Sequence, residues 1–439
     1  MARKVALAAL SGDPFAAQPA EGRPEPLPGD PFAEALGPMA GLSEAAAPLD
    51  FSFGGRFESK NRFAVNGGPP LALTLTAFLE GAAKKGPFSL YGSLKGAFEG
   101  AASRWPGSHK AGWAEIDELY LTFESAALDL WLGRKIQRWG TADGYNPLDL
   151  FNPLDLRDPI ASGRFLNRVP QWLAGASLSL GPFNLEVVYL PRPGVVRTPE
   201  PGSPWEPRAY RGLRQARRAG LLSLDRGPTP DRWFRDGEAG VRLSAAWVGW
   251  DLSLMAFRGY FDEPLFRLEP RPFGLAAQGE WARHSAYGLA WAKGLGQGTF
   301  RGELALKPDY PAQGTLGWGR ARLLQAVVGW DRDFDGDFYL NFQGFIERQT
   351  ETSRSSRKSR QGLTYEAKVS WALGEWAAGT RGRAYLSGEG AVSEIFLEWD
   401  YDDHFRFTAG AMAFTGSRAG VLGQYGDNDC LYLTGRYSF

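Results

Sequence analysis

The chain has 439 residues, with 56 Gly, 16 Trp, 15 Tyr and 28 Phe against 1 Cys and 4 Met, a composition that suits an all-β chain with tight bends. Lys+Arg and Asp+Glu both number 49, so no net charge points to nucleic acid; Cys430 is alone, and His109, His284 and His404 show no metal-ligand spacing. No run of 18 apolar residues exists, which excludes a transmembrane helix, whereas a mean hydropathy of −0.30 still suits a membrane strand that is apolar on one face only.

Residues 1–4 are Met-Ala-Arg-Lys, and only the six residues Val5 to Leu10 form an apolar run. This is short for a signal peptide and is read as a truncated signal remnant. Residues 11–48 are rich in Pro, Ala and Gly and repeat Gly12-Asp13-Pro14-Phe15-Ala16 as Gly29-Asp30-Pro31-Phe32-Ala33. The expectation is a leader over 1–48, a flexible periplasmic segment or a piece that tucks into the fold, followed by a barrel over 49–439.

From Leu49 the hydrophobic period is two. Leu71, Leu73, Leu75, Ala77 and Leu79 alternate with Thr74, Thr76, Phe78 and Glu80; Phe88, Leu90, Leu94 and Phe98 alternate with Ser89, Tyr91, Lys95 and Glu99. The pattern predicts strands near 49–58, 70–80, 87–98, 113–124, 126–138, 170–180, 183–191, 239–248, 250–260, 284–293, 298–308, 320–331, 336–348, 361–371, 376–387, 391–401, 404–415 and 430–439. Their connections alternate short and long: the long ones are 59–69, 99–112, 139–169, 192–238, 261–283, 309–319, 349–360 and 416–429, and only 388–390 is short where a long one is due. Alternating strands of this length with alternating loop lengths predict a transmembrane antiparallel up-and-down β-barrel of about 16–18 strands, with short periplasmic turns and long extracellular loops. The last strand, with Leu433, Tyr437 and the final Phe439 on one face, looks like the assembly signal read by the barrel assembly machinery.

The two faces differ in chemistry. Trp172, Tyr189, Trp330, Trp371, Trp376 and Trp399 fall near strand ends, as interfacial aromatic girdles require. The opposite face carries Lys95, Glu186, Arg301, Glu303, Glu366, Lys368, Arg381, Arg383, Glu394, Glu398 and Arg436. Charges of both signs are too costly to leave dry, so the lumen is expected to be polar, and barrels of about 16–18 strands are wide enough for an aqueous channel.

The loop 139–169 holds Asn-Pro-Leu-Asp-Leu twice, at 146–150 and 152–156. Its Asp143, Asn146, Asp149, Asn152, Asp155, Arg157 and Asp158 are turn formers and charges that suit a compact loop, expected to fold inward and constrict the channel. The run Ile116-Asp117-Glu118-Leu119-Tyr120-Leu121, then Leu132-Gly133-Arg134-Lys135-Ile136-Gln137-Arg138-Trp139-Gly140, then Asn152-Pro153-Leu154-Asp155, resembles an uncharacterised proteobacterial barrel family. Lys135 stands where that family usually has Gln. Members are associated with RND-type exporters and a periplasmic carrier protein, so the resemblance implies export of a hydrophobic or lipidic molecule.

Loop 192–238 carries ten Arg and no Lys, and 208–222 has the pattern of a basic helix; a second basic run holds Arg354, Arg357, Lys358 and Arg360. Such clusters suit lipopolysaccharide phosphates. Asp331 to Asp337 starts like a calcium loop, but its twelfth position is Phe342. No histidine falls in a Ser/His motif, and no enzyme, metal or other cofactor is expected. The reading is therefore an outer-membrane conduit in contact with outer-membrane lipids; the alternatives are the outer-membrane part of an RND-linked export system and a plugged structural or adhesive barrel.

Overall fold

In a computed structural model describing residues 48–65, 72–99, 112–157, 167–199, 201, 203–352 and 358–439, the period-two segments close into one ring. The leader lies outside the described residues except for its last residue, as do Asp158, Arg354 and Arg357. The ring is built from β1 (Asp50–Ala64), β2 (Ala72–Lys85), β3 (Phe88–Glu99), β4 (Gly112–Glu124), β5 (Leu128–Lys135), β6 (Gln171–Leu180) and β7 (Phe183–Leu190). After α1 (Arg208–Arg218) and β8 (Leu222–Asp225) it resumes with β9 (Glu238–Trp247) and β10 (Trp250–Tyr260). A hairpin of β11 (Leu265–Arg271) and β12 (Gly274–Glu280) intervenes before β13 (Arg283–Leu295), β14 (Gly298–Gln313), β15 (Trp318–Phe334), β16 (Phe338–Gln349) and β17 (Lys358–Trp371). The ring ends with β18 (Trp376–Tyr385), β19 (Gly390–Asp400), β20 (Phe405–Thr415) and β21 (Cys430–Ser438).

Eighteen of these strands form the barrel. Each pairs antiparallel with its neighbours, β7 meets β9, β10 meets β13, and β1 pairs with β21 to close the ring. Phe439 completes the seam, because its N–H donates to Gly55 O and its carbonyl accepts from Gly55 N, both at 3.1 Å. Closure leaves the barrel without an edge strand among the described residues.

The turns sort by end. Val248 and Gly249, both with positive φ (50° and 73°), make the two-residue connection whose twist matches paired strands, and Trp247 and Trp250 face each other across it. The opposite end carries the long loops, and these are built rather than loose: β8, β11 and β12 form a separate three-stranded sheet. The expected basic helix appears as α1, with Arg217 and Arg218 in its last turn, where cations meet the negative end of the helix dipole.

Several boundaries differ from expectation, and β1 runs to Ala64, through half of the predicted loop 59–69. The predicted loop 309–319 is mostly strand, since β14 and β15 run to Gln313 and from Trp318. The register shifts between Lys307 and Tyr310, and a bulge there accommodates Pro308, which has no N–H to donate. The fifth strand ends at Lys135 rather than 138, where the chain leaves the wall.

The outer face is apolar and uncovered: Leu132, Ile395 and Leu433 are 64 %, 61 % and 55 % exposed. Among the described residues no second sheet covers this face, so lipid covers it, at about 1.5–3 kcal/mol for each large apolar side chain. At the short-turn end Trp371, Trp376 and Trp399 stack with centroid separations of 6.3 and 5.2 Å, an interfacial girdle. The molecule is an outer-membrane β-barrel with short periplasmic turns and long extracellular loops.

Candidate functional site

The site begins at a bulge in β4. Leu94 pairs with Ile116 and Gly92 with Leu119, so Asp117 and Glu118 together oppose Ser93, whose Oγ accepts from Glu118 N at 3.0 Å. Gly133 on β5 passes against this bulge with φ +144°; a Cβ there would lie 2.2 Å from Leu119 O. Arg134 Nε donates to the carbonyls of Ile116 (3.1 Å) and Asp117 (3.0 Å), and Ile136 N donates to Glu118 Oε1 at 2.7 Å, just as β5 ends. The residues on which the family resemblance rests thus form one junction that turns the chain from the wall into the lumen.

Loop 136–157 then runs along the inner wall. Gln137 Nε2 and Trp139 Nε1 both donate to Glu186 Oε1 at 2.7 Å, and Arg242 pairs with the other oxygen. Glu303 of β14, 0 % exposed, receives three backbone donors from the loop: Thr141 N and Ala142 N at 2.6 Å and Leu148 N at 3.2 Å. Gly140 makes this approach possible, since a Cβ there would be 2.4 Å from Glu303 Oε1. At the far tip Tyr145 stacks on Phe345 at 4.4 Å and its hydroxyl accepts from Gln325 at 2.6 Å, while the Arg383 guanidinium sits 5.2 Å from its ring centroid.

The predicted loop residues are engaged in holding this path. Asp143 accepts from Asn341 at 2.7 Å and lies 3.5 Å from Arg301, which is itself 2.5 Å from Asp331. Asn146 donates back to Ala142 O. Asp149 accepts from Arg168 Nε at 2.6 Å. Asn152 accepts from Gln137 N at 2.8 Å and donates to Val169 O at 3.0 Å. Asp155 accepts from Arg157 at 2.6 Å, and Arg197 forks onto Glu115 with two contacts of 2.6 Å. Burial alone would raise the Asp155 carboxyl, but the Arg157 hydrogen bond and charge outweigh it and hold the group below the usual range.

Trp139, Leu148 and Phe151, at most 1 % exposed, pack on Leu173, Val188, Leu190, Met255 and Phe257. These five wall residues point inward from β6, β7 and β10, where an open channel would expose them to water. Sequence reasoning missed them, although apolar residues on both faces of those strands signal a covered inner wall. It also missed Trp205, which buries itself among Val392, Met412, Phe414 and Leu422 beneath the loop 416–429 and faces Arg62 at 5.5 Å.

The lumen charges divide between these two regions. Glu186, Arg301, Glu303 and Arg383 touch the loop. Arg381 pairs with Glu394 at 2.6 Å, Tyr432 donates to Glu394 at 2.5 Å, and Arg436 pairs with Glu58 at 2.9 Å; these stand on β18, β19, β21 and β1. Lys95 faces Glu115 across β3 and β4, Glu366 faces Arg381, Lys368 lies opposite Tyr339, and Glu398 lies opposite Thr408. Leu433 faces outward, 55 % exposed, and Tyr437 contacts Phe405 and Phe439 at 4.9 and 6.0 Å. Among the described residues no group of His, Cys, Asp and Glu is arranged to hold a metal, and Asp333 Oδ1 simply accepts Gly336 N at 2.7 Å in a tight turn.

Among solved structures the chain resembles OccAB4 of Acinetobacter baumannii (9 % identity, 89 % of this chain and 98 % of that one, TM-score 0.51). It also resembles OpdK of Pseudomonas aeruginosa, crystallised with vanillate (10 % identity, 89 % and 98 %, TM-score 0.50). At these identities the likeness concerns the barrel fold. No curated protein matches the sequence. The model of one family, described as "Protein of unknown function (DUF1302)", matches residues 95–439, and the chain belongs to that family.

Proposed function

We propose that the barrel is a conduit for small solutes, narrowed by the inward loop 139–169. The observation that carries this reading is the division of the lumen: the loop is fastened to the wall from β4 through β18, while ion-paired charges of both signs stand on the arc from β18 through β21 to β1. Paired charges on an inner wall need water or further polar partners, and an eighteen-stranded ring leaves room for an aqueous path beside the loop. The Asp and Asn residues of the loop set its position, and the charges of that arc, with Lys95, Glu366, Lys368 and Glu398, line the path. Residues 1–48 act as a leader and 49–439 as the conduit. Leu433, Tyr437 and Phe439 present the seam strand to the barrel assembly machinery, and lipopolysaccharide contacts the extracellular arginines.

A second reading, the outer-membrane part of an RND-linked export system fed by a periplasmic carrier, is supported by the resemblance over 116–155 and by an amphipathic cavity at the extracellular end. Liposome swelling with the refolded protein separates the two. Entry of small neutral and charged solutes in order of size supports the solute conduit. Exclusion of every solute by a folded barrel contradicts it and favours export or a plugged barrel.

A further inference from the structure

Above the loop tip, the helix α1, the β11 hairpin and the upper ends of β14–β17 enclose a cavity of about 760 Å³, a volume typical of small-molecule sites. One wall is apolar and comes from separate elements: Val195, Leu213, Phe261, Leu265, Pro311 and Leu323. Leu265 and Leu323 are buried, so the wall is anchored in the fold.

The polar lining is unevenly matched. Arg214 is held by Glu206 at 2.6 Å, and Arg360 by Glu389 at 3.2 Å and Glu347 at 3.7 Å. Arg217, Arg226 and Lys358 line the same cavity and make no ion pair among the described residues. Of the remaining carboxyls, Glu263 accepts from Tyr210 Oη at 3.1 Å. Burial raises Glu263 and pushes Asp262 up to about 7, so the cavity's negative charge near neutral pH is reduced.

From these observations we infer that the cavity binds a small amphipathic organic anion, with its hydrocarbon body on the Leu213–Leu323 wall and its charged head among Arg217, Arg226 and Lys358. Charge-assisted hydrogen bonds supply orientation, and the apolar wall supplies affinity in proportion to area. The inference rests on the conduit reading, for which the cavity is a selective vestibule. Two sources offer this chemistry, a water-soluble acid from outside and a fatty acid from the membrane.

The test is calorimetric titration of the full chain in lipid nanodiscs, with empty nanodiscs as the blank. The probes are 1-naphthalenesulfonate, dodecanoate and the cationic isostere 1-naphthylmethylammonium. Binding of the sulfonate without dodecanoate supports the site and a soluble source; binding of dodecanoate supports the site and a membrane source. Binding of neither anion, or equal binding of the cation, overturns the proposal. The triple variant R217A/R226A/K358A should weaken anion binding at least tenfold, and L213W, which fills the cavity and leaves the charges, should do the same; wild-type affinity in both overturns it. Conductance of the same samples separates the two claims. Conductance without binding removes the site alone, and binding without conductance removes the conduit alone.

Discussion

Glu303→Ala is the most informative single change, because one buried carboxylate accepts three backbone donors of the inward loop. It removes the acceptor of Thr141 N, Ala142 N and Leu148 N and leaves three N–H groups in a site that is 0 % exposed at the carboxylate. A buried donor without an acceptor costs about 1–3 kcal/mol, so the three together cost at least ~3 kcal/mol, or about a hundredfold in the ratio of displaced to seated tip. Trp139, Leu148 and Phe151 keep their packing, and Asp143 and Tyr145 keep their contacts with Asn341 and Phe345, so the segment 141–148 should loosen while the loop as a whole stays. Glu303→Gln is the graded control: its remaining oxygen still accepts from Thr141 and Ala142, and only the Leu148 N–H faces an amide NH₂, a loss of ~1–2 kcal/mol or about tenfold. In planar bilayers the Ala variant should show frequent excursions to larger conductance, and the Gln variant fewer. A folded Glu303→Ala barrel with wild-type step size and closure frequency would refute the assignment of this contact as the clamp on the constriction.

Gly133→Ala should destabilise the β4–β5 junction by about 3 kcal/mol, from the positive φ and the 2.2 Å approach to Leu119 O; the check is the fraction of heat-modifiable barrel after refolding, and an unchanged yield would contradict it. Asp262, half-buried in the loop 261–282, has its carboxyl pushed from 3.8 up to about 7 by burial. The folded state therefore keeps a proton that the unfolded chain releases, stability falls as pH rises across that window, and Asp262→Asn should raise the Tm at pH 8 but not at pH 4. In Phe439→Ala the backbone bonds to Gly55 remain, so refolding in detergent should be near normal while insertion in cells falls several-fold; equal loss in both assays would make Phe439 a structural residue rather than a signal.

The wall was legible because alternation over strand lengths has few other meanings, and the eighteen strands lie where that pattern places them. The strand runs on past Pro308 because a bulge can host what a regular ladder cannot. The compact turns of the loop 139–169 suggested an inward course, but its fastenings have no local sequence signal. Thr141 and Glu303 are 162 positions apart, and Tyr145 and Gln325 are 180 apart; no local pattern reports such pairs. Asp143, Asn152 and Asp155 were singled out as turn and charge positions, and their side chains are spent on Asn341, Gln137 and Arg157. Val188, Leu190, Met255 and Phe257 carried the readable hint, being apolar residues on a face expected to be polar.

Single-channel conductance of the refolded protein, compared with a variant in which a Gly-Ser linker replaces 140–158, tests the central claim most directly. The account predicts steady ohmic steps from the wild type and larger steps from the variant. Silence from a folded wild-type barrel, or steps of equal size from both proteins, would contradict it.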